Sequence, residues 1–158
     1  MQVKYAIQDV YPDDFAHCYG CGRLNESGHH FRTGWEDDQT VTYYTPEPEH
    51  TAIPGFVYGG LMASLIDCHG TGSASLALLR KDGHEPEDGV EAPRFVTASL
   101  EVKFVKPTPQ GVTLKAVGKF EEIRPKKFKI HTDVYAGDDI VAKGEVVAVV
   151  MPDTFTSK

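Results

Sequence analysis

Apolar and polar residues alternate through the C-terminal part of the chain, which is the period-two signature of strands with one buried face. Val96, Ala98, Leu100, Val102 and Phe104 share one phase and predict a first long strand. Val112, Leu114, Ala116 and Phe120 mark a second, and Phe128, Ile130, Val134 and Ala136 a third. From Ile140 to Met151 the run is apolar enough to predict a strand covered on both faces. Gln110-Gly111 and Ala136-Gly137-Asp138-Asp139 read as hairpin turns. Earlier in the chain, Phe31 to Trp35 and Thr40 to Thr45 predict two short strands around Glu36-Asp37-Asp38-Gln39.

Between these regions, Gly59 to about Arg80 reads as one helix, roughly 33 Å long at ~1.5 Å per residue. Leu61, Leu65, Leu76 and Leu79 form part of its apolar stripe. Ala63, Gly70, Thr71, Gly72, Ser73, Ala74 and Ser75 keep the rest thin. A glycine inside a helix costs roughly 1 kcal/mol against alanine. Gly70 and Gly72 therefore predict close approach by sheet backbone or a ligand. Residues 1–30 are broken by Pro12, Asp13-Asp14, Gly20, Gly22 and Gly28 and read as an irregular N-terminal cover segment. Pro46 to Gly55 is a proline-rich loop, and Lys81 to Arg94 an acidic Gly/Pro loop. A long helix followed by an antiparallel run gives a single α+β domain over residues 1–158.

The candidate chemistry lies where the helix begins. A Pro54-Gly55 turn leads through Phe56-Val57-Tyr58 into the Gly59-Gly60 pair. Free backbone N–H groups at a helix start favour anions and oxyanions. Two turns on, the carboxylate of Asp67 interrupts an otherwise apolar and small-residue helix. A buried carboxylate is costly unless paired or used. An oxyanion site with a carboxylate is the minimum equipment for acyl transfer.

This arrangement resembles the hotdog-fold acyl-CoA thioesterases of the phenylacetate-pathway type. In that family a His-Gly-Gly turn opens the central helix, and an acidic residue follows eight positions after the first glycine, as Asp67 follows Gly59. Thr97-Ala98-Ser99-Leu100-Glu101-Val102-Lys103-Phe104-Val105-Lys106-Pro107 is similar to the family's long strand and its closing proline. The likeness runs from about Cys18 to Met151. It implies a long central helix wrapped by a curved antiparallel sheet of five to six strands. It also implies Asp67 as nucleophile or general base, a backbone N–H at Gly59–Gly60 as oxyanion donor, and Thr97 holding the attacking water or carboxylate. Alternation alone puts Thr97 on the face opposite Val96 and Ala98, so only the resemblance brings it to the site. Two positions depart from the family: Tyr58 stands where the turn carries His, and Ala52 where many members carry Asn or Gln.

Geometry adds an assembly. Eight helical residues rise ~12 Å, whereas a donor and an attacking group must both sit ~3 Å from one carbonyl. Asp67 is therefore expected to work with the helix start of a second subunit, in a two-fold homodimer with two equivalent sites. The resemblance implies the same, and pairing of dimers into a homotetramer.

Composition narrows the partners. The net charge of −7 argues against non-specific nucleic-acid binding. Residues 101–129 nevertheless hold eight basic and three acidic side chains. Within that island Arg124, Lys126, Lys127 and Lys129 flank Pro125 and are candidates for the phosphates of coenzyme A; a solvated strand face is the plainer reading. No apolar run approaches the ~18 residues of a membrane span, no secretory signal is visible, and three cysteines suit a reducing cytosol. A cytoplasmic protein is expected. His50 and Tyr58 are candidate substrate contacts on the loop feeding the helix. Cys18-Tyr19-Gly20-Cys21-Gly22 lacks the second cysteine pair that zinc sites usually need. It reads as a tight turn covering the site, with no metal and no cofactor expected. No P-loop lysine or nucleophile-elbow serine occurs. Two other functions remain open: an enoyl-CoA hydratase-type enzyme pairing His50 with Asp67, and a non-catalytic acyl-CoA-binding domain.

Overall fold

A computed structural model describes residues 1–155; the last three residues of the expected domain lie outside that range. The elements are β1 (Thr33–Glu36), β2 (Gln39–Tyr44), α1 (Gly59–Lys81), β3 (Phe95–Phe104), β4 (Leu114–Arg124), β5 (Lys127–Ala136) and β6 (Asp139–Val150). The strands form one six-stranded antiparallel sheet in the order β1-β2-β4-β5-β6-β3, curved around α1. The α+β architecture is the expected one, with a long helix against a single sheet.

Two turns expected as hairpins behave differently. Gly137-Asp138 joins β5 to β6 directly, with Ala136 opposite Asp139. Gln110-Gly111 does not make a hairpin, because β3 pairs with β6 and not with β4. The chain after β3 has to cross to the middle of the sheet. It does so against the loop that feeds α1: Val57 N–H donates to the Thr108 carbonyl at 2.8 Å and Gln110 N–H to the Gly55 carbonyl at 2.9 Å.

Helix α1 is buried around its whole circumference through its central turns, from Leu61 and Leu65 to His69, Ser73 and Leu76. Small residues permit this. A Cβ on Gly70 would stand 2.5 Å from the Cβ of Val146, and one on Gly72 would stand 2.8 Å from Gln8 Nε2. The close approach expected there is real, but it is made by side chains and not by sheet backbone. The sheet reciprocates, since Cβ atoms on Gly118 and Gly144 would stand 2.4 Å from His69 and Ile66. His69 is fully buried. Its Nδ1 accepts from the Thr132 hydroxyl at 3.0 Å and its Nε2–H donates to the Thr40 carbonyl at 3.2 Å. Burial lowers its pKa to about 4, so it is a neutral structural histidine at pH 7.

Strand β6 buries Ala142, Val146 and Ala148 against the helix, while Val147 and Val149 on its other face stay half-exposed. The expectation of cover on both faces fails within the single chain. The cover segment packs Ile7, Tyr11 and Ala16 against Leu76, Leu79 and Ala92 at the far end of α1. Gln8 Nε2 donates to Thr33 Oγ1 at 3.2 Å, and Arg23 to the Tyr11 carbonyl at 2.8 Å.

Candidate active site

Asp67 sits on the third turn of α1, half-buried, facing the start of β3. Thr97 reaches it because β3 is irregular. The register shifts between Thr97 and Ser99, so that Thr97 pairs with Ala148 and Leu100 with Val146. Cross-strand partners share a face, and Ala148 and Val146 both point to the helix. The extra residue, Ala98, is a bulge that returns Thr97 to the same face as Leu100, Val102 and Phe104. Simple alternation therefore misplaces Val96 and Ala98 as well as Thr97. The Thr97 hydroxyl donates to Asp67 Oδ1 at 2.5 Å. Burial pushes the Asp67 carboxyl above the usual carboxylate range, and the Thr97 hydrogen bond opposes that shift.

Three thiols lie beside Asp67. Cys18 and Cys21 come from the cover segment and Cys68 from α1, with all three Sγ atoms within 4.8 Å of one another. They act as one coupled unit. Hydrogen bonds from the Cys21 and Cys68 thiols hold the Cys18 thiol well below its usual range, and the hydrogen bond to Cys18, with burial, pushes Cys21 up to about 12. Cys68 is pushed up as well, with its thiol donating to Cys18 as the main cause. The Arg94 guanidinium donates to the Phe15 and Phe95 carbonyls and interacts electrostatically with these sulfurs and Asp67, lowering the cost of negative charge there.

The other end of α1 differs. Tyr58 is the N-cap residue, and no side chain caps the helix. Gly59 and Gly60 are exposed, so the first N–H groups point out of an open helix start. The ring of Tyr58 lies over Gly60, where a Cβ would stand 2.5 Å from Cε2; a Cβ on Gly59 would stand 3.1 Å from the Phe104 ring. A depression of about 340 Å³, lined by Val57, Gly59, Met62 and Phe104 among others, opens here. His50 is half-buried. Its Nδ1 accepts the Glu47 N–H at 2.9 Å, and its carbonyl accepts from Gln110 Nε2 at 2.9 Å. The side-chain bond stays within the loop, and the carbonyl bond ties the loop to the segment after β3.

Sequence reasoning missed an aromatic cluster around His29. Its ring centroid lies 5.1 Å from Phe31, 5.7 Å from Tyr44 and 5.1 Å from His50. Tyr58 joins through His50 at 6.4 Å. The rings come from three stretches, His29–Phe31, Tyr44 and His50–Tyr58, and no local pattern joins the three. Burial, with the neighbouring His50, lowers the His29 pKa.

Arg124, Lys126 and Lys127 lie at the tip of the β4–β5 hairpin, with Arg124 opposite Lys127. Lys127 pairs with Val149, and the neighbouring row runs Phe128, Ala148, Thr97. The hairpin tip is thus at the Thr97 end of the sheet, two strands away, with Lys127 on the face turned from α1. Lys129 is 3.4 Å from Glu145 and forms a strand-face ion pair. A cavity of about 500 Å³ on that outer face is lined by Lys115, Lys119, His131 and Asp133 and does not include Asp67.

Residues 54–143 match the family model of the thioesterase superfamily. The crystal structure of a thioesterase superfamily protein from Shewanella loihica is 44% identical, covering 89% of this chain and 98% of that one, with a TM-score of 0.67. A thioesterase from Haemophilus influenzae, 14% identical over 83% of this chain and 85% of that one, has a TM-score of 0.65. A conserved protein of Pseudomonas aeruginosa, 16% identical over 78% of this chain and 90% of that one, has a TM-score of 0.60. The last two likenesses are of fold. No curated protein matches the chain.

Proposed function

The chain belongs to the thioesterase superfamily and has its hotdog fold, and from that premise we propose that it hydrolyses an acyl-CoA thioester in a two-fold dimer. The carrying observation is the desolvated Asp67 carboxyl, oriented by Thr97 and standing ~12 Å along the helix from an uncapped N-terminus. Acting as base, Asp67 takes a proton from water as the water oxygen attacks the thioester carbon. The oxyanion is received by a Gly59–Gly60 N–H of the other subunit. Collapse breaks the C–S bond and releases the CoA thiolate, which gains a proton. Acting as nucleophile, Asp67 instead expels CoA to form a mixed anhydride that water then cleaves. Single turnover in ¹⁸O-water that leaves label in Asp67 identifies the anhydride route cleaved at the Asp67 carbonyl, whereas general-base attack, like cleavage at the acyl carbonyl, puts the label in the product acid alone.

Strand β3 supports the dimer. It is an edge strand, and its helix-facing row leaves Leu100 40% and Phe104 60% exposed. A long apolar edge with unpaired backbone groups calls for a partner, and a second copy of β3 supplies one. Two such dimers then make a tetramer. Arg124, Lys126 and Lys127 are assigned to the CoA phosphates, His50 and Tyr58 to the acyl side. No helix among the described residues is long and apolar enough to cross a membrane. The free cysteines fit a reducing cytoplasm.

His50 bonds within its own loop, which leaves the hydratase pairing with Asp67 without a contact in the subunit. The deciding experiment incubates the protein with a panel of acyl-CoAs and follows free thiol. Release of CoA is expected. Binding without release identifies the non-catalytic domain, and water addition to an enoyl-CoA without thiol release identifies the hydratase.

A further inference from the structure

We infer that Cys18, Cys21 and Cys68 form a binding site for a zinc-class divalent metal ion, clamping the N-terminal cover segment to helix α1 beside Asp67. The sequence argued against a metal because no second cysteine pair follows the first. The fold supplies the third sulfur from the helix.

Three observations carry the inference. The Sγ atoms of Cys18 and Cys68 are 4.0 Å apart, and all three lie within 4.8 Å of one another. A tetrahedral ion with Zn–S bonds of ~2.3 Å holds its sulfurs about 3.8 Å apart. The cluster is therefore near metal spacing and far from the ~2.05 Å of a disulfide, which would also strand the third sulfur. Next, the chain around Cys18 folds as a knuckle: Gly22 N–H donates to the Cys18 carbonyl at 2.7 Å, and the Gly20 and Cys21 N–H groups face the Cys18 sulfur. A Cβ on Gly20 would stand 2.4 Å from Cys68 Sγ. Only glycine there leaves room for the helix thiol to meet the knuckle. Finally, three thiolates with one divalent cation carry a net charge of −1, and the half-buried Arg94 guanidinium, which interacts electrostatically with all three sulfurs, offsets it. Thiolates are the donors that select zinc over harder cations. Binding forms three metal–sulfur bonds, and the thiol protons leave to solvent. The half-buried Cys18 side leaves the fourth position for water or an outside ligand.

The test uses the untagged full chain and reads metal, not turnover, so it stands or falls apart from the hydrolytic function. Elemental analysis should find zinc. Reduced, metal-free protein should take up one equivalent of cobalt(II) with a thiolate-to-cobalt charge-transfer band, lost when zinc is added. Cys18→Ser, at a half-buried position, should weaken cobalt binding by at least ~10-fold with the circular dichroism unchanged. Gly20→Ala should weaken it too. No charge-transfer band at stoichiometric cobalt overturns the site, as does unchanged affinity in Cys18→Ser. A Cys18–Cys68 disulfide in protein that takes up no metal after reduction also overturns it, and assigns the sulfurs to redox chemistry.

Discussion

The two ends of the α1 segment from Gly59 to Asp67 are opposites. At Asp67 a half-buried charge is fixed by the Thr97 hydroxyl, with the Cys18 turn of the cover segment packed against the neighbouring Cys68. At Gly59–Gly60 the backbone donors are bare and uncapped, with apolar rings beside them. One end concentrates negative charge and the other offers positive dipole, yet a single rigid helix holds them ~12 Å apart. On the proposed function the subunit carries two half-sites, and dimerisation would be what joins them.

The largest effect is expected at the charged end. Asp67→Asn should keep the fold and cut thioesterase turnover by at least ~10²-fold, measured as kcat on the best acyl-CoA of the panel. Normal turnover in a folded Asn variant removes Asp67 from the chemistry. Mixing these subunits with subunits disabled at the turn should restore about one working site per mixed dimer. No restoration would mean that each subunit uses both of its own ends.

At the donor end the expected loss is comparable. One oxyanion donor is worth roughly 2.7–4 kcal/mol, so Gly60→Val should lower kcat by ~10²-fold or more while the thioester still binds. The Tyr58 ring over Gly60 adds a second way to fail, because valine meets the ring before it meets a substrate. The double variant Gly60→Val with Tyr58→Ala separates them. Recovery of kcat there would make the turn a packing feature and place the oxyanion donor elsewhere.

Thr97→Val should be the mildest, at roughly 10-fold in kcat, the worth of one hydrogen bond to a charged group. It also has a pH signature. The Thr97 bond favours the ionised carboxyl, so removing it raises the Asp67 pKa further above its ordinary value. The acid limb of the kcat/KM profile should move to higher pH. A limb that stays in place while kcat falls would show that Thr97 positions water and not Asp67.

The spacing from Gly59 to Asp67, the helix between them and the four long strands are local patterns, and they were legible as such. Thr97 was not placed by its own alternation phase, because a bulge at Ala98 inserts a residue that no period-two count includes. Gln110-Gly111 has hairpin chemistry but joins strands that are not neighbours, and turn residues carry no record of pairing partners. Cys68 could not be joined to the Cys18–Cys21 turn by spacing, because the contact spans fifty residues and depends on where the cover segment lies.

The sequence by itself therefore determined the element types, the α+β class and the carboxylate-plus-glycine pairing, because side-chain periodicity and backbone chemistry act over a few residues. Tertiary structure decided which face Thr97 presents, how the thiols and the aromatic rings around His29 assemble, and which strand is left as an open edge. Those depend on strand order and on packing between segments far apart in the chain, which no local pattern encodes.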